Sequence, residues 1–340
     1  MEKRFIHIAV LSLFLIAFVI GGVFWFSQSS RIVIGQERFS GRVAGVSEEK
    51  VTPSVVEQRN LSSEFKPLKK DGIGLFAVPT AHSAVLLDAA TGIPLFEQDA
   101  DAHRAIASIT KLMTTMIAVE TAKSLDEPVT IPEDAVYAEG TRVGCPRSGF
   151  CNGERLHVGE QIAVRDLLKA ALMNSANDAA ISLAEHVSGS QDAFAETMNR
   201  RAAELGLVNT HFCTPSGLEL DDPAKEENCY SSALDVAKIA AYAQRYDVLW
   251  STMRMDKTII SSVDGKYQHE IFNTDRILGY PNLRGTKTGF TPRAGYSLLA
   301  VAGDPSADRH RLIAVVLDDS SRWQSIQSML SWGFSSYQWK

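Results

Sequence analysis

IASITKLMTTM, residues 106–116, opens like an apolar helix but sets a hydroxyl and an amine, Ser108 and Lys111, three residues apart at its mouth. On a helix, side chains at i and i+3 share a face with Cβ atoms about 5–6 Å apart, so the amine reaches the hydroxyl. A serine is a weak nucleophile until a neighbouring base takes its proton. A lysine at the start of a buried helix is desolvated, which lowers its pKa toward useful base strength. The same residues also read as a capping serine and a lysine whose stem snorkels to water. Alone, the four-residue spacing recurs too often by chance to separate the two readings.

Working outward, the chain supplies two partners for that pair. In VRDLLKAALMNSANDAAISLAEHV, Val164, Leu167, Leu168, Ala171 and Leu172 recur at helical spacing, the pattern breaks at Asn174-Ser175, and a second helix starts near Asn177. Such a break lets the hydroxyl of Ser175 and the amide of Asn177 project into a cleft. RGTKTGFTPRAGYS reads as a strand with a cation, a hydroxyl and a residue without a side chain in a row: Lys287, Thr288 and Gly289. There Gly289 admits a substrate backbone to the strand edge and Lys287 supplies charge for a carboxylate.

SAVLLDAATGIPLFEQD reads as two strands joined at Ala90-Thr91-Gly92. Helices follow over residues 109–123, at QDAFAETMNRRAAELG and at ALDVAKIAAYAQRY. The last third gives strands at TIISSV, QHEIFN, GTKTGF, YSLLAVAG and RLIAVVLDD, then a closing helix, SRWQSIQSMLSWGF. Strands first and last with helices between predict an α/β fold of the α+β kind. Its antiparallel sheet, with first and final strands paired, is flanked by helices and joined to a helical subdomain.

With 340 residues, 45% apolar and 22% charged, the chain can bury a large core. A net charge of −6 and no dense basic run exclude an electrostatic grip on nucleic acid. Residues 5–26, FIHIAVLSLFLIAFVIGGVFWF, carry no Asp, Glu, Lys or Arg. As a helix they would cover about 33 Å, enough to cross a bilayer core. Lys3 and Arg4 before them predict a single-pass signal anchor over residues 1–27 with everything after it outside the cytoplasm. Ser27-Gln28-Ser29 is a weak cleavage alternative. Residues 28–78 read as a juxtamembrane linker and 79–340 as the catalytic domain.

Four cysteines suit an oxidising compartment and allow three pairings. Short spacings favour Cys145–Cys151 and Cys213–Cys229, each closing a polar loop. A zinc site is the competing reading, but neither Cys-x-x-Cys nor His-x-x-x-His spacing is present.

The ordered set formed by Ser108 and Lys111, Ser175-Ala176-Asn177, and Lys287-Thr288-Gly289 is accompanied by SAVLLDAATG, NTHFCTPSGL and GTKTGFTPRAGYSLLA. Together they resemble the low-molecular-mass penicillin-binding proteins, the serine D-alanyl-D-alanine carboxypeptidases, from about residue 80 onward. The resemblance implies cleavage of the terminal D-Ala-D-Ala bond of peptidoglycan stem peptides through an acyl-enzyme, and β-lactam antibiotics as covalent inhibitors. It implies no metal or organic cofactor. It makes Ser108 the nucleophile, Lys111 its base, Ser175 a proton relay and Asn177 the holder of the substrate amide. Lys287 and Thr288 would bind the terminal carboxylate, and the N–H groups of Ser108 and Phe290 would form the oxyanion hole. The two cysteine-bearing loops enlarge the family's usual short ones. Without a further C-terminal β domain, the chain also resembles the D,D-endopeptidase branch. A β-lactamase would need a deacylating glutamate that cannot be assigned here. A non-catalytic wall-binding or β-lactam-sensing protein would keep the fold without turnover.

Overall fold

The computed structural model describes residues 65–146, 150–305 and 310–340. The expected anchor and the expected linker up to residue 64 lie outside the described residues. The chain runs β1 (Pro67–Lys69), β2 (Ala81–Asp88), β3 (Pro94–Gln98), a 3₁₀ turn at Ala107–Thr110, α1 (Lys111–Thr121), β4 (Pro128–Thr130), α2 (Glu133–Val136) and β5 (Gln161–Ala163). A helical run follows: α3 (Val164–Met173), α4 (Asn177–Ser188), α5 (Gln191–Glu204), α6 (Pro223–Glu226), α7 (Ala233–Ala243) and α8 (Asp247–Met253). The remainder is β6 (Lys257–Ser261), β7 (Gln268–Phe272), β8 (Leu283–Thr291), β9 (Gly295–Gly303), β10 (Arg311–Asp319), α9 (Arg322–Ser336) and β11 (Tyr337–Trp339).

Strand alternation decides the layering, because successive side chains leave opposite faces of a sheet. Val85, Leu87, Leu299, Val301, Ile313, Val315 and Leu317 face the helical side, where they join the core of α1, α3, α4 and α7. Ala84, Leu86, Leu298, Ala300, Leu312, Ala314 and Val316 face Ile326, Met329 and Leu330 of α9. The five-stranded antiparallel sheet, in the order β3-β2-β10-β9-β8, is therefore covered on both faces. The first and last of its strands in sequence, β2 and β10, pair from Asp88–Leu312 to Ala81–Asp319. That order leaves β8, the strand carrying Lys287-Thr288-Gly289, at one edge. α1 runs through the interior, with Lys111 through Ala118 all buried, so it is buried around its whole circumference rather than along one stripe.

Two short ribbons, β1–β11 and β4–β5, were invisible to periodicity, whereas β6 and β7 fall on the predicted strands TIISSV and QHEIFN. β1 pairs with β11, so residues expected as linker are drawn into structure by Pro67–Trp339, Leu68–Gln338 and Lys69–Tyr337 registers. β4 pairs with β5, and β6 with β7. Both disulfides close as the shorter spacings favour, Cys145–Cys151 and Cys213–Cys229, each with S–S 2.01 Å. No helix among the described residues is long and apolar enough to cross a membrane.

The β6–β7 hairpin is tied to the loop before β5 by a buried histidine. His269 is fully buried, with Nε2 2.8 Å from Glu160 Oε1 and Nδ1 3.1 Å from the Glu154 carbonyl. Both partners only accept, so satisfying them takes two N–H groups, the imidazolium form. Burial by itself would lower the His269 pKa, but the bonds to Glu160 and to the Glu154 carbonyl outweigh it and raise the value. A raised histidine pKa adds stability that is complete below the unfolded value near 6.5 and fades as pH rises through the folded value. Glu160→Gln is therefore expected to cost about 3 kcal/mol at pH 6, with the deficit shrinking at pH 9. Thermal unfolding at the two pH values checks this, and an equal deficit at both would contradict it.

Candidate active site

Ser108 lies in the 3₁₀ turn and Lys111 is the first residue of α1. In a 3₁₀ turn side chains at i and i+3 eclipse, which brings the pair closer than an α-helix would. Lys111 Nζ is 2.8 Å from Ser108 Oγ, 2.7 Å from Asn177 Oδ1 and 2.6 Å from the carbonyl oxygen of Ser216. The last two partners are pure acceptors, so each takes an N–H. A neutral amine then has one lone pair left, aimed at Ser108, and the serine O–H donates into it. The side chain is completely buried. Its pKa falls well below lysine's ordinary value, first through burial and then through the nearby Lys287 charge, with Asp178 pulling the other way.

The backbone around the serine is built for this contact. Ala107, just before it, takes a left-handed φ of 46°. A side chain on Gly217, itself at φ 74°, would lie 2.0 Å from the Ala107 carbonyl oxygen. Gly217 thus lets the Pro215-Ser216-Gly217 turn press against the Ser108 loop, bringing the Ser216 carbonyl to Lys111. Thr114 Oγ1 anchors the same turn by donating to the Pro215 carbonyl at 2.6 Å. On the other side, a Cβ on Gly289 would meet the Ile106 carbonyl at 2.7 Å. The sequence suggests that Gly289 admits substrate; in the fold its missing side chain admits the serine turn itself to the face of β8.

Ser175 occupies the break between α3 and α4 in the left-handed region, φ 60°, where glycine is usual. A strained non-glycine residue at such a place suits a hydroxyl that is needed. Its Oγ accepts from Lys287 Nζ at 2.8 Å, and Lys287 also donates to the Thr288 carbonyl at 3.1 Å. Burial, then the charge of Arg322, lowers the Lys287 pKa to about 7. Two buried lysines thus lie near enough to interact, and the charge on Lys287 makes Lys111 easier to deprotonate. Asn177 is 3% exposed. Besides accepting from Lys111, it donates from Nδ2 to the Glu139 carbonyl at 2.7 Å, so in this arrangement its side chain locks the amine rather than projecting into open cleft.

Thr288 and Phe290 alternate to the accessible side of β8. Thr288 Oγ1 lies 3.0 Å from Thr274 Oγ1, and Phe290 stacks on Tyr296 of β9 with ring centroids 4.6 Å apart. Two participants escaped sequence reasoning. Arg322, at the start of α9, donates to the carbonyls of Gly289 and Ser297 at 2.8 and 3.0 Å and sits over the Tyr296 ring. The Ser216 carbonyl is a backbone group whose only sequence signal is the turn chemistry of Pro-Ser-Gly. The Cys213–Cys229 loop is held toward the β8–β9 hairpin by Arg293, which donates from its backbone to Glu219 Oε1 at 3.0 Å and pairs with Glu226. Among the described residues no cluster of three or more His, Cys, Asp or Glu could hold a metal ion.

A serine in contact with a buried lysine of lowered pKa, beside a hydroxyl–lysine pair and an edge strand, is an arrangement that suits acyl transfer to serine. The chain belongs to the D-alanyl-D-alanine carboxypeptidase family, whose model matches residues 77–321. It is 33% identical over 267 residues to D-alanyl-D-alanine carboxypeptidase DacF of Bacillus subtilis, covering 76% of this chain and 63% of that protein. It is 35% identical over 239 residues to a D-alanyl-D-alanine endopeptidase of Pseudomonas aeruginosa, covering 68% and 70%. Among solved structures it resembles a D-alanyl-D-alanine carboxypeptidase from Mycobacterium tuberculosis, with TM-score 0.67, 26% identity and coverage of 79% and 96%. A Streptomyces DD-transpeptidase gives TM-score 0.66 at 25% identity, covering 77% and 100%. The chain thus spans under two thirds of the Bacillus relative and nearly the whole of the solved domains.

Lys111→Met keeps the volume of the buried side chain but removes the amine. It is expected to slow acylation of Ser108 by roughly 10²–10⁴-fold, with no recovery at high pH. Stopped-flow acylation across pH 5–10 measures this; a loss of less than tenfold would exclude Lys111 as the base.

Proposed function

We propose that this chain is a serine D,D-carboxypeptidase that removes the terminal D-alanine from peptidoglycan stem peptides. The observation that carries the reading is the 2.8 Å contact between Ser108 Oγ and a buried Lys111 whose other two partners can only accept. Ser108 Oγ attacks the carbonyl carbon of the penultimate D-alanine as its proton passes to Lys111 Nζ. The oxyanion is held by the N–H groups of Ser108 and Phe290, donors that are worth about 3–4 kcal/mol each in such sites. The C–N bond then breaks, and the departing amine takes a proton delivered from Lys111 by way of Ser175. Water adds to the acyl-enzyme with the lysine again acting as base, releasing the shortened peptide and restoring Ser108. Lys287, Thr288 and Arg322 supply the positive and hydroxyl edge that suits the terminal carboxylate. β-Lactams, which present an acylating carbonyl beside a carboxylate, would modify Ser108 by the same first step.

The apolar run at residues 5–26 and the two disulfides support a membrane-anchored protein with its catalytic domain outside the cytoplasm. A second reading, cleavage of peptidoglycan cross-links, is favoured by similarity to the Pseudomonas endopeptidase across 70% of that protein.

Digestion of purified peptidoglycan followed by product analysis decides between the two. Free D-alanine with intact cross-linked dimers is the expected result, whereas loss of dimeric muropeptides would establish the endopeptidase. Ser108→Ala should yield neither product nor any covalent label from fluorescent penicillin while leaving the melting temperature unchanged; surviving label would overturn the nucleophile.

A further inference from the structure

Behind the site, residue 178 follows Asn177 directly, and nothing in the reaction described above uses it. Asp178 is 2% exposed in the first turn of α4. Its Oδ1 and Oδ2 lie 3.2 and 3.1 Å from the Val143 backbone N–H, and Oδ1 also accepts from Ala179 N at 2.9 Å. Val143, which it grips, ends a strap of residues 139–143 across the start of α4. The strap gives its carbonyls to the catalytic break at three points: Glu139 to Asn177 Nδ2 at 2.7 Å, Thr141 to Asn177 N at 2.7 Å, and Arg142 to Asn174 Nδ2 at 3.0 Å. Beyond Val143 the strap continues into the Cys145–Cys151 disulfide, where Arg142 and Cys145 exchange backbone hydrogen bonds at 3.0 and 2.9 Å. It also runs close: a side chain on Gly140 would lie 2.8 Å from Asn177 Nδ2.

We propose that Asp178 is a positioning residue for the acylation step, acting on Lys111 through the 139–143 strap and Asn177 and setting the charge balance around the amine. The inference rests on the reading of Lys111 as the base for Ser108. Asp178 fixes the strap, the strap fixes the Asn177 amide, and Asn177 Oδ1 fixes one N–H of Lys111. A carboxylate offers the Val143 N–H two acceptors, whereas an asparagine in the same pose would keep Oδ1 but turn an amide N–H toward it in place of Oδ2. The charge acts separately. Lys111 faces Lys287 from β8 and Asp178 from α4, one disfavouring and the other favouring its ammonium form. Asp178 in turn faces Lys111 and Arg142 of the strap, while Arg322 acts on Lys287. Burial holds the Asp178 carboxyl up near pH 7, against the Ala179 and Val143 N–H bonds and the Arg142 charge. The carboxylate thus forms in the range where the enzyme would work.

The test is the pH profile of Ser108 acylation by a fluorescent penicillin, measured on the full-length protein and on Asp178→Asn. The limiting rate of the variant should fall tenfold or more, as misplaced catalytic groups cost on this order or beyond. Its acid limb should move to lower pH, because Lys111 has lost the charge that favours its ammonium form. A fall in rate with the acid limb unmoved would reduce Asp178 to a structural residue and overturn the proposal. If the wild-type protein shows no Ser108 acylation at all, the base reading fails first and takes this proposal with it. Should Asp178→Asn not fold, NMR of the wild-type protein decides the question. The Val143 amide and the Asn177 side-chain Nδ2 resonances should then titrate together near neutral pH, and resonances that stay flat across that range would overturn the coupling.

Discussion

The structure turns on one buried amine. Lys111 Nζ is out of water and has three partners within 2.8 Å, two of which can only accept. Burying an ammonium ion is costly, and a chain relieves that cost by letting the group give up its proton. The same act that makes the lysine tolerable inside the protein lowers its pKa, and the lone pair of the neutral amine would have one place to point, Ser108. Around that constraint the other features fall into order. The 3₁₀ turn shortens the reach to the serine, the Pro215-Ser216-Gly217 turn brings up a carbonyl, and Asn177 supplies the second acceptor from another helix. Lys287, itself buried, adds a repulsive charge that lowers the Lys111 pKa further.

Much of this was legible in sequence because it follows from period and punctuation. SAVLLD and RLIAVVLDD read as strands, and their unbroken apolar runs, rather than an alternation, suit a sheet covered on both faces. The break at Asn174-Ser175 was readable since the apolar spacing stops there, and β8 was placed with its Lys-Thr-Gly run intact. Short ribbons such as β1–β11 hold three residues a side and contain no repeat for a period to show. The Ser216 carbonyl belongs to the backbone, which every residue has, so only folding selects it. Arg322 is separated from Lys287 by two strands, and only the pairing of β8 with β9 and the docking of α9 bring it under Gly289.

Glycines in the site illustrate how a correct residue can be assigned the wrong physical reason. Gly289 looked like an allowance for substrate; in the fold, the space of its absent side chain is already filled by the Ile106 carbonyl. Gly217 does the same on the opposite flank, against Ala107. The serine turn is therefore squeezed between two chain segments that approach it without side chains. Ala107, the strained residue at the centre of that turn, is held there by this packing rather than by local preference.

The protonation state of Lys111 is the quantity on which this picture of the site stands. Selective isotope labelling of the lysine side chains, followed by NMR titration of Lys111 Nζ, reports it directly. The expected midpoint lies well below that of an ordinary lysine, with the amine neutral while the protein is still folded. An ammonium ion that persists to the pH at which exposed lysines titrate would contradict it.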